Sequence, residues 1–304
     1  MNTQNGIQST KPRVALIGTG IMGAGMAERL LDQGFSVDVW DRTPAAAARL
    51  AERGATAHVH PAEAAKVADV VVTMLPTGDA VNDVMLRRNV IAGIRPDGIW
   101  AQMGTIGIDA TESLIAAVAG RRPDVAFVDA PVSGTREPAR NGQLTILASG
   151  HDRARATLEP IFNALGQRVL WLGPAGLGTR LKLVLNTWLA FEVEAAAEVS
   201  AAADRLGVPY ESLLAAVQGG ALASGTALAR LAKMESKDHS PQFPLEWGLK
   251  DLDLSAAATG PDAIPVARAI AERWRVLVGQ GAGRLDVSAA RLGLTAEVGE
   301  TVRR

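Results

Sequence analysis

The sequence contains no cysteine and only one tyrosine among its 304 residues. The lack of cysteine excludes disulfides, thiolate zinc sites, iron–sulfur clusters and thiol nucleophiles, and it predicts a reducing, cytoplasmic environment. The single tyrosine, Tyr210, is followed four residues later by Leu214, so a Tyr-x-x-x-Lys dehydrogenase site is absent. No three-ligand metal site is expected from the four histidines, which are His58, His60, His151 and His239.

The chain also lacks an excess of either charge and any long apolar run. Its 31 basic and 32 acidic side chains leave a formal net charge of −1, so we expect no nucleic-acid partner. No stretch of about 18 unbroken apolar residues occurs, so no membrane span is expected. The ends, residues 1–11 and 296–304, are expected to be flexible, and the first of them is polar rather than signal-like.

Short β-branched runs alternate with helical patterns in the first half of the chain. The predicted strands are Arg13–Ile17, Ser36–Trp40, Asp69–Met74, Gly98–Met103, Val125–Asp129 and Gln143–Ala148. Helical spacing lies between several of them, as in Met22–Gln33 and Pro44–Arg53. This alternation predicts a doubly wound, mostly parallel sheet over residues 12–172.

The pattern changes from about Gly173 onward. Gly178–Leu206 has no internal glycine or proline and predicts a helix about 40 Å long, which ends at Gly207–Val208–Pro209. Further helices are predicted at Tyr210–Gln218, Ala227–Glu235, Glu246–Thr259 and Val266–Gly279. Residues 173–295 are therefore predicted to form an all-α domain built around one long helix.

A glycine motif marks the start of the first domain. Val14–Gly23 contains a strand, then Gly18-x-Gly20-x-x-Gly23, then the beginning of a helix. Such glycines permit a tight turn, close approach of a diphosphate and close helix–strand packing, and the helix N-terminus favours the anion. The next strand ends in Asp41 at the expected distance. The motif predicts a Rossmann domain that binds NAD or NADP.

Two neighbouring residues point to different cofactors. Asp41 would accept hydrogen bonds from the adenosine ribose and repel a 2′-phosphate, which favours NAD. Arg42 could stack on adenine or bind that phosphate, which favours NADP. The position of Asp41 tips the balance slightly toward NAD, and Asp41→Asn is expected to shift the preference toward NADPH.

A predicted loop could bind the substrate. Asp129–Gly134 follows a strand and presents the hydroxyl of Ser133 with free backbone N–H groups, which suit a carboxylate or a developing oxyanion. The alternative is a plain strand-to-loop turn with an exposed serine.

The long helix offers a lysine for proton transfer. Lys182 and Asn186 are four residues apart and share a helix face. Lys182 lies among leucine and valine, where partial burial would lower its pKa and suit it to acid–base work. From the helix alone, a snorkelling lysine remains the favoured alternative. The pair Lys250–Asp251, after Phe243–Pro244–Leu245, is equally compatible with a solvated helix face.

These motifs together resemble the β-hydroxyacid dehydrogenase family over roughly residues 14–288. The resemblance implies that Lys182 is the catalytic lysine, with Asn186 as its companion. It implies that Ser133 and Gly134 bind substrate, and that the pair Lys250–Asp251 reaches cofactor and active site. The full set of expected substrate contacts is Ser133, Gly134, Thr105, Phe243 and Asp251. The full set of expected cofactor contacts is Gly18, Gly20, Ile21, Met22, Gly23, Asp41, Arg42, Thr43, Met74, Leu75, Pro76, Thr105 and Lys250.

Within the family, the segment Ser133–Ala139 and Phe243–Leu245 are most similar to the glyoxylate/succinic semialdehyde reductase branch. Three positions depart from common family patterns. Thr135 replaces a second glycine, Gly104 replaces a serine, and Asp41 replaces an asparagine found in NADP-using members of that branch.

The resemblance implies hydride transfer between a nicotinamide cofactor and a small β-hydroxy acid or semialdehyde/2-oxo acid, with Lys182 as general acid and base. One alternative is an imine reductase-like enzyme, which shares the architecture without the lysine. The other is a non-catalytic dinucleotide-binding interaction module, which would have lost the lysine. The apolar long helix predicts a homodimer or larger homo-oligomer. The particular acid, the physiological direction and the oligomer size stay open.

Overall fold

A computed structural model of the chain describes residues 11–260 and 262–294. The ends expected to be flexible, residues 1–11 and 296–304, lie outside the described residues except for Lys11. The chain divides into two compact units, and the division falls between Thr179 and Arg180.

The first unit is built on one nine-stranded sheet. The strands are β1 (Val14–Ile17), β2 (Val37–Trp40), β3 (Thr56–Ala57), β4 (Val70–Thr73), β5 (Ile99–Gln102), β6 (Ala126–Asp129), β7 (Val132–Ser133), β8 (Leu144–Gly150) and β9 (Gly166–Trp171). They follow the order β3-β2-β1-β4-β5-β6-β8-β7, and β9 pairs with β8. Strands β1 to β6 pair in parallel, whereas β8 runs antiparallel to β6 and β7.

Helices cover both faces of this sheet. They are α1 (Ile21–Asp32), α2 (Pro44–Ala51), α3 (Pro61–Val67), α4 (Gly78–Val81), α5 (Val90–Gly93), α6 (Ile108–Arg121), α7 (Arg136–Asn141) and α8 (Arg155–Leu165), with a π-helical turn at Asn82–Arg87 and a 3₁₀ turn at Asp152–Ala154. Val14 and Leu16 of β1 join one apolar core with α1, α2 and α8, while Ala15 and Ile17 join another with α3, α5 and α6. Because both faces are buried, β1 is apolar throughout and β4 is apolar up to Thr73, rather than alternating. The predicted doubly wound, mostly parallel sheet is confirmed.

Three strands were not predicted. Strands β3 and β7 have two residues each, too short to show a period-2 pattern. Strand β9 contains exposed polar residues, and among the described strands it lies off the main strand order and pairs with β8 alone. Strand β8 reaches Gly150, two residues beyond its predicted end.

A buried acid, Asp38, lies near the amino end of β2. Asp38 is fully buried and accepts hydrogen bonds from Arg13 Nε (2.6 Å) and Arg13 Nη2 (2.9 Å). His58 Nε2 lies 2.7 Å from the same carboxylate. Burial alone would raise the pKa of Asp38, but the hydrogen bonds from Arg13 and His58 outweigh it and hold the pKa below its usual value.

The second unit is helical in its described part. The helices are α9 (Leu177–Leu206), α10 (Tyr210–Val217), α11 (Gly225–Glu235), α12 (Leu245–Thr259) and α13 (Pro265–Gly279), followed by 3₁₀ segments Ala282–Arg284 and Val287–Leu294. The first three residues of α9 belong to the first unit. The predicted all-helical part with one 30-residue helix is confirmed.

The core of the second unit forms around Trp274 of α13. A Cβ atom on Gly248 of α12 would lie 2.8 Å from the Trp274 ring, so glycine allows the two helices to approach. Trp274 Nε1 donates to Glu194 of α9 at 2.9 Å, and Arg273 forms an ion pair with the same carboxylate. None of the helices in the described residues is both long and apolar enough to cross a bilayer.

Candidate active site

Most of the expected cofactor contacts follow the carboxyl ends of parallel strands. Gly18 follows β1, Asp41 follows β2, Met74 follows β4 and Met103 follows β5. Because these strands are parallel, their carboxyl ends share one edge of the sheet. The strand order reverses direction between β1 and β4, which is where such sheets bind ligands.

The glycine loop after β1 has the geometry of a diphosphate site. Gly18 has φ +100°, and a Cβ there would lie 2.5 Å from the Met74 carbonyl oxygen. A Cβ on Gly23 would lie far inside contact distance of the Gly18 carbonyl, whereas a Cβ on Gly20 would meet nothing within 4 Å. Gly18 and Gly23 are therefore needed for packing, and Gly20 leaves open space for a ligand.

The polar groups of this loop also fit an anionic ligand. Gly20 precedes α1 and makes no side-chain capping bond, and the first N–H groups of a helix have no partner within it. Buried Thr19 Oγ1 has no hydrogen-bond partner among the described residues. Unpaired N–H groups beside open space suit the diphosphate of NAD or NADP.

Asp41 binds two backbone loops. Its Oδ2 accepts a hydrogen bond from the N–H of Thr19 (2.7 Å), and its Oδ1 accepts one from the N–H of Thr43 (2.8 Å). Arg42 and Thr43 are exposed, and Thr43 begins α2 without a side-chain capping bond. The acid is thus at its predicted position, but both of its oxygens already bind the protein.

The loops after β4 and β5 touch through their backbones. A Cβ on Gly104 would lie far inside contact distance of the Leu75 carbonyl oxygen, so glycine permits the two loops to approach this closely. A buried hydrogen-bond chain runs beneath this contact. Trp100 Nε1 donates to Thr73 Oγ1 (2.9 Å), Thr73 donates to Gln102 Oε1 (2.8 Å), and Gln102 Nε2 donates to the Gly104 carbonyl (2.7 Å). This chain fixes the backbone that leads to Thr105.

The expected substrate loop is partly a strand. Ser133 is the last residue of β7, is half-buried and pairs with Thr145 of β8, so it does not lie in a loop as predicted. The strand was overlooked because it has only two residues. Gly134 has φ +133°, and a Cβ there would lie 2.8 Å from Leu144 Cδ2, so the turn after Ser133 requires glycine.

A residue whose role the sequence did not indicate, Asp129, holds the start of α9. Its carboxylate accepts hydrogen bonds from the backbone N–H and the hydroxyl of Thr179, both at 2.7 Å. Ser149 Oγ accepts the N–H of Gly178 at 2.9 Å. Burial raises the pKa of Asp129, and the hydrogen bonds from Thr179 partly offset that rise. An acid ending an otherwise apolar strand was the available clue.

The second unit brings four predicted residues together around Lys182. Lys182 is only 8% exposed, so it does not snorkel into solvent. Asn186 Nδ2 donates to Asp251 Oδ2, and Lys250 Nζ lies 2.9 Å from Asp251 Oδ1. Asp251 Oδ1 makes no hydrogen bond to the described residues. Its contact with Lys250 Nζ is an ion pair that lacks hydrogen-bond geometry. Lys250 and Asp251 are therefore not a solvated helix face.

The surroundings lower the pKa of Lys182. Burial lowers it most, the charge of Asp251 raises it, and the charge of Lys250 lowers it further, which brings the pKa to about 8. A lysine with such a pKa holds both protonation states in useful amounts near neutral pH. The cluster can donate or accept a proton.

Phe243 is held by a buried ion pair that the sequence did not reveal. Asp286 Oδ2 accepts the backbone N–H groups of Phe243 (3.0 Å) and Gln242 (3.1 Å). Arg230 Nη1 donates to the other oxygen, Oδ1, of this carboxylate at 2.5 Å. The two charged residues are 56 positions apart, so no local pattern could pair them. Among the described residues, no group of three histidine or acidic side chains is placed to hold a metal ion.

Comparison with known proteins agrees with this geometry. The model of the NAD-binding domain of 6-phosphogluconate dehydrogenase matches residues 13–173. The model of the NAD-binding domain of NADP-dependent 3-hydroxyisobutyrate dehydrogenase matches residues 176–292.

Individual proteins match nearly the whole chain. Glyoxylate/succinic semialdehyde reductase 1 of Arabidopsis thaliana is 33% identical, covering 91% of this chain and 96% of its own length. The 3-sulfolactaldehyde reductase of Escherichia coli is 32% identical, covering 94% and 98%. The structure of Mycobacterium tuberculosis 3-hydroxyisobutyrate dehydrogenase with L-serine has a TM-score of 0.83 at 28% identity, covering 94% of this chain and all of its own.

The sheet order, the glycine loop, the buried lysine cluster and these matches lead to one assignment. The chain belongs to the β-hydroxyacid dehydrogenase family and is an NAD(P)-dependent oxidoreductase.

Proposed function

We propose that this enzyme interconverts a small semialdehyde or 2-oxo acid and the corresponding hydroxy acid, with Lys182 as general acid and base. The observation that carries the proposal is the buried cluster in which Lys182, with a pKa of about 8, lies beside Asn186 and Asp251. The names of the similar proteins support the substrate class, since two are aldehyde reductases and one is a hydroxy-acid dehydrogenase.

In the proposed reaction, Lys182 transfers the proton in both directions. The cofactor supplies the hydride when it is bound. In reduction the ammonium of Lys182 gives its proton to the carbonyl oxygen, and in oxidation the neutral amine removes the proton from the hydroxyl. Asn186 shares the helix face of Lys182 and helps to orient the substrate oxygen. Because its amide is tied to Asp251, its position is fixed before substrate arrives.

The substrate carboxylate is proposed to bind Ser133, Gly134 and Thr105, while Phe243 contacts its carbon chain. Asp251 was expected among these contacts, but a second carboxylate beside an anionic substrate is unfavourable. We therefore propose that Asp251 acts on the substrate through Asn186.

For the cofactor we propose a modest preference for NAD(H). The charge of Asp41 lies in the loop expected to meet the adenosine ribose. A 2′-phosphate within a few ångströms would cost about 1–4 kcal/mol, which Arg42 offsets in part. The proposed cofactor contacts are otherwise the expected set, with the first N–H groups of α1 at the diphosphate and Lys250 as a further cofactor contact.

We further propose that residues 12–172 form the cofactor domain and residues 173–295 the substrate and dimerisation domain. One face of α9 supports a homodimer or larger homo-oligomer. Exposed apolar residues recur along it every three or four positions: Val184, Trp188, Phe191, Ala195, Val199, Ala202 and Leu206, with the exposed charged residues Arg180, Glu198 and Arg205 at its border. Trp188 is 64% exposed and Leu206 is 79% exposed in the single chain. An exposed apolar face of this length is typical of a protein–protein interface. The same face of a second copy of α9 carries the same apolar side chains and could cover it.

The test is a panel of semialdehydes, 2-oxo acids and hydroxy acids, each assayed with NAD(H) and NADP(H). We expect turnover of at least one short carboxylate substrate and none of cyclic imines. Turnover of imines alone would favour the imine reductase alternative. Cofactor binding without turnover of any substrate would favour the non-catalytic module.

A further inference from the structure

The strongest unused observation concerns Asp41. In the usual role, an acid at the end of the second strand accepts hydrogen bonds from the adenosine ribose. Here both carboxylate oxygens already accept backbone N–H groups, at 2.7 Å from Thr19 and 2.8 Å from Thr43. These are short, charge-assisted bonds, which are stronger than bonds between neutral groups.

The two N–H groups belong to different loops. Thr19 lies between Gly18 and Gly20, inside the loop whose open side suits the diphosphate. Thr43 lies 24 positions further along the chain and starts α2. One carboxylate therefore joins the diphosphate loop to the loop that presents Arg42.

We propose that Asp41 is a positioning residue that clamps these two loops together before the cofactor binds, and that this clamp contributes to affinity independently of any contact with the ribose. This inference rests on the assignment of the first unit as the NAD(P)-binding domain. It adds to that assignment that the Asp41 carboxylate affects cofactor binding through the backbone N–H groups of Thr19 and Thr43.

The clamp changes what Asp41→Asn should do. An asparagine of the same shape has one carbonyl oxygen and one NH₂ donor. Its NH₂ cannot accept an N–H bond, so at least one of Thr19 and Thr43 loses its acceptor. The diphosphate loop and the Arg42 loop then become less ordered in the cofactor-free protein, and binding must restore their order.

The first measurement is amide hydrogen exchange in the cofactor-free protein. We expect the Thr19 and Thr43 amides to be protected in the wild type, and at least one to exchange about tenfold faster in Asp41→Asn. The matched control is Asp152→Asn, which removes an exposed carboxylate from the same unit. It should leave both amides unchanged. Unprotected amides in the wild type would overturn the clamp even if the variant failed to fold.

The second measurement separates the clamp from a ribose contact. Dissociation constants are measured for NADH and for NADH that lacks the adenosine 2′-hydroxyl. If Asp41 acts as a clamp, Asp41→Asn weakens the binding of both compounds by the same factor, about tenfold. If Asp41 instead binds the adenosine ribose directly, the loss of affinity in Asp41→Asn largely disappears with the deoxy compound. That outcome would overturn the proposal. NADPH is not used, because removing the charge of Asp41 also relieves repulsion of its 2′-phosphate.

The turnover number distinguishes positioning from general damage. At saturating NADH, Asp41→Asn should raise the KM for NADH by a larger factor than it lowers kcat. A matching fall in kcat would show that the substitution disturbs the whole unit, which contradicts a local clamp. Failure of the wild type to bind either cofactor would instead refute the NAD(P) assignment, whatever the amides show.

Discussion

The proposed role of Lys182 makes the reaction rate depend on pH through the pKa of this lysine. The lowering from 10.5 to about 8 corresponds to about 3 kcal/mol in favour of the neutral amine. At pH 7 about a tenth of the enzyme then carries neutral lysine, compared with about one part in 3,000 for an ordinary lysine. We expect the reduction rate to fall as pH rises through about 8, and the oxidation rate to increase over the same range.

Two neighbours should move this midpoint in opposite directions. Asp251 raises the pKa of Lys182 and Lys250 lowers it. Asp251→Asn should therefore shift the kcat midpoint to lower pH, and Lys250→Met should shift it to higher pH. Asp253, an exposed acid two positions from Asp251, gives the matched control because it pairs with Arg275 instead.

The assay is kcat against pH at saturating cofactor and substrate in both directions. Lys182→Ala should lower kcat at least about a hundredfold and remove the midpoint near 8. Shifts of both neighbour variants in the same direction, or near wild-type turnover in Lys182→Ala, would refute the assignment of Lys182.

The stability of the cofactor-free protein gives an independent check. The folded pKa of Lys182 lies below the unfolded value, so the unfolded chain binds more protons between these values. The free energy of unfolding should therefore rise with pH from about 8 to about 10.5. Lys182→Met should remove this rise and stabilise the protein at pH 7 by at most about 3 kcal/mol, measured by urea denaturation. A pH-independent difference between the two proteins would contradict the pKa.

Three further predictions follow from other parts of the chain. Trp188→Glu should convert the oligomer to a monomer at micromolar concentration in light scattering, and a wild type that is already monomeric would refute the partner proposed for α9. Asp38→Asn should lower the free energy of unfolding at pH 7 by about 2 kcal/mol, less than for a fully buried pair because Arg13 is 42% exposed. Because the folded pKa of Asp38 is depressed, this cost should begin to shrink below the unfolded pKa of about 4 and vanish as pH falls through the folded pKa. A cost in urea titrations that does not change with pH over this range would contradict the pairing. Gly178→Ala should lower kcat at least about tenfold by displacing the start of α9 from the Leu147 carbonyl, and wild-type turnover would show that the packing relaxes.

The parts predicted from sequence are those set by local pattern. The parallel strands, the glycine loop and the 30-residue helix each leave a periodic or motif trace within one segment. The position of Asp41 followed from its place at the end of the second strand, at the expected distance after the glycine motif. Its bond to Thr19 did not, because it depends on how two loops meet in space.

The parts that escaped prediction are long-range or very short. Asp286 and Arg230 are separated by 56 residues, and Asp129 lies 50 residues from Thr179, so their pairing follows from tertiary packing. Burial excluded the snorkelling interpretation of Lys182, and burial of one side chain on an amphipathic helix cannot be deduced from its neighbours in sequence.

The contact between Gly104 and the Leu75 carbonyl has a consequence for enzyme engineering. Because two backbones meet there, with Gln102 hydrogen-bonded to Gly104 from below, neither loop can change shape without the other. Libraries that vary position 104 to alter substrate range should yield mostly inactive clones. Diversity placed at Thr135, which is only half-buried and leaves this contact untouched, should retain far more active variants.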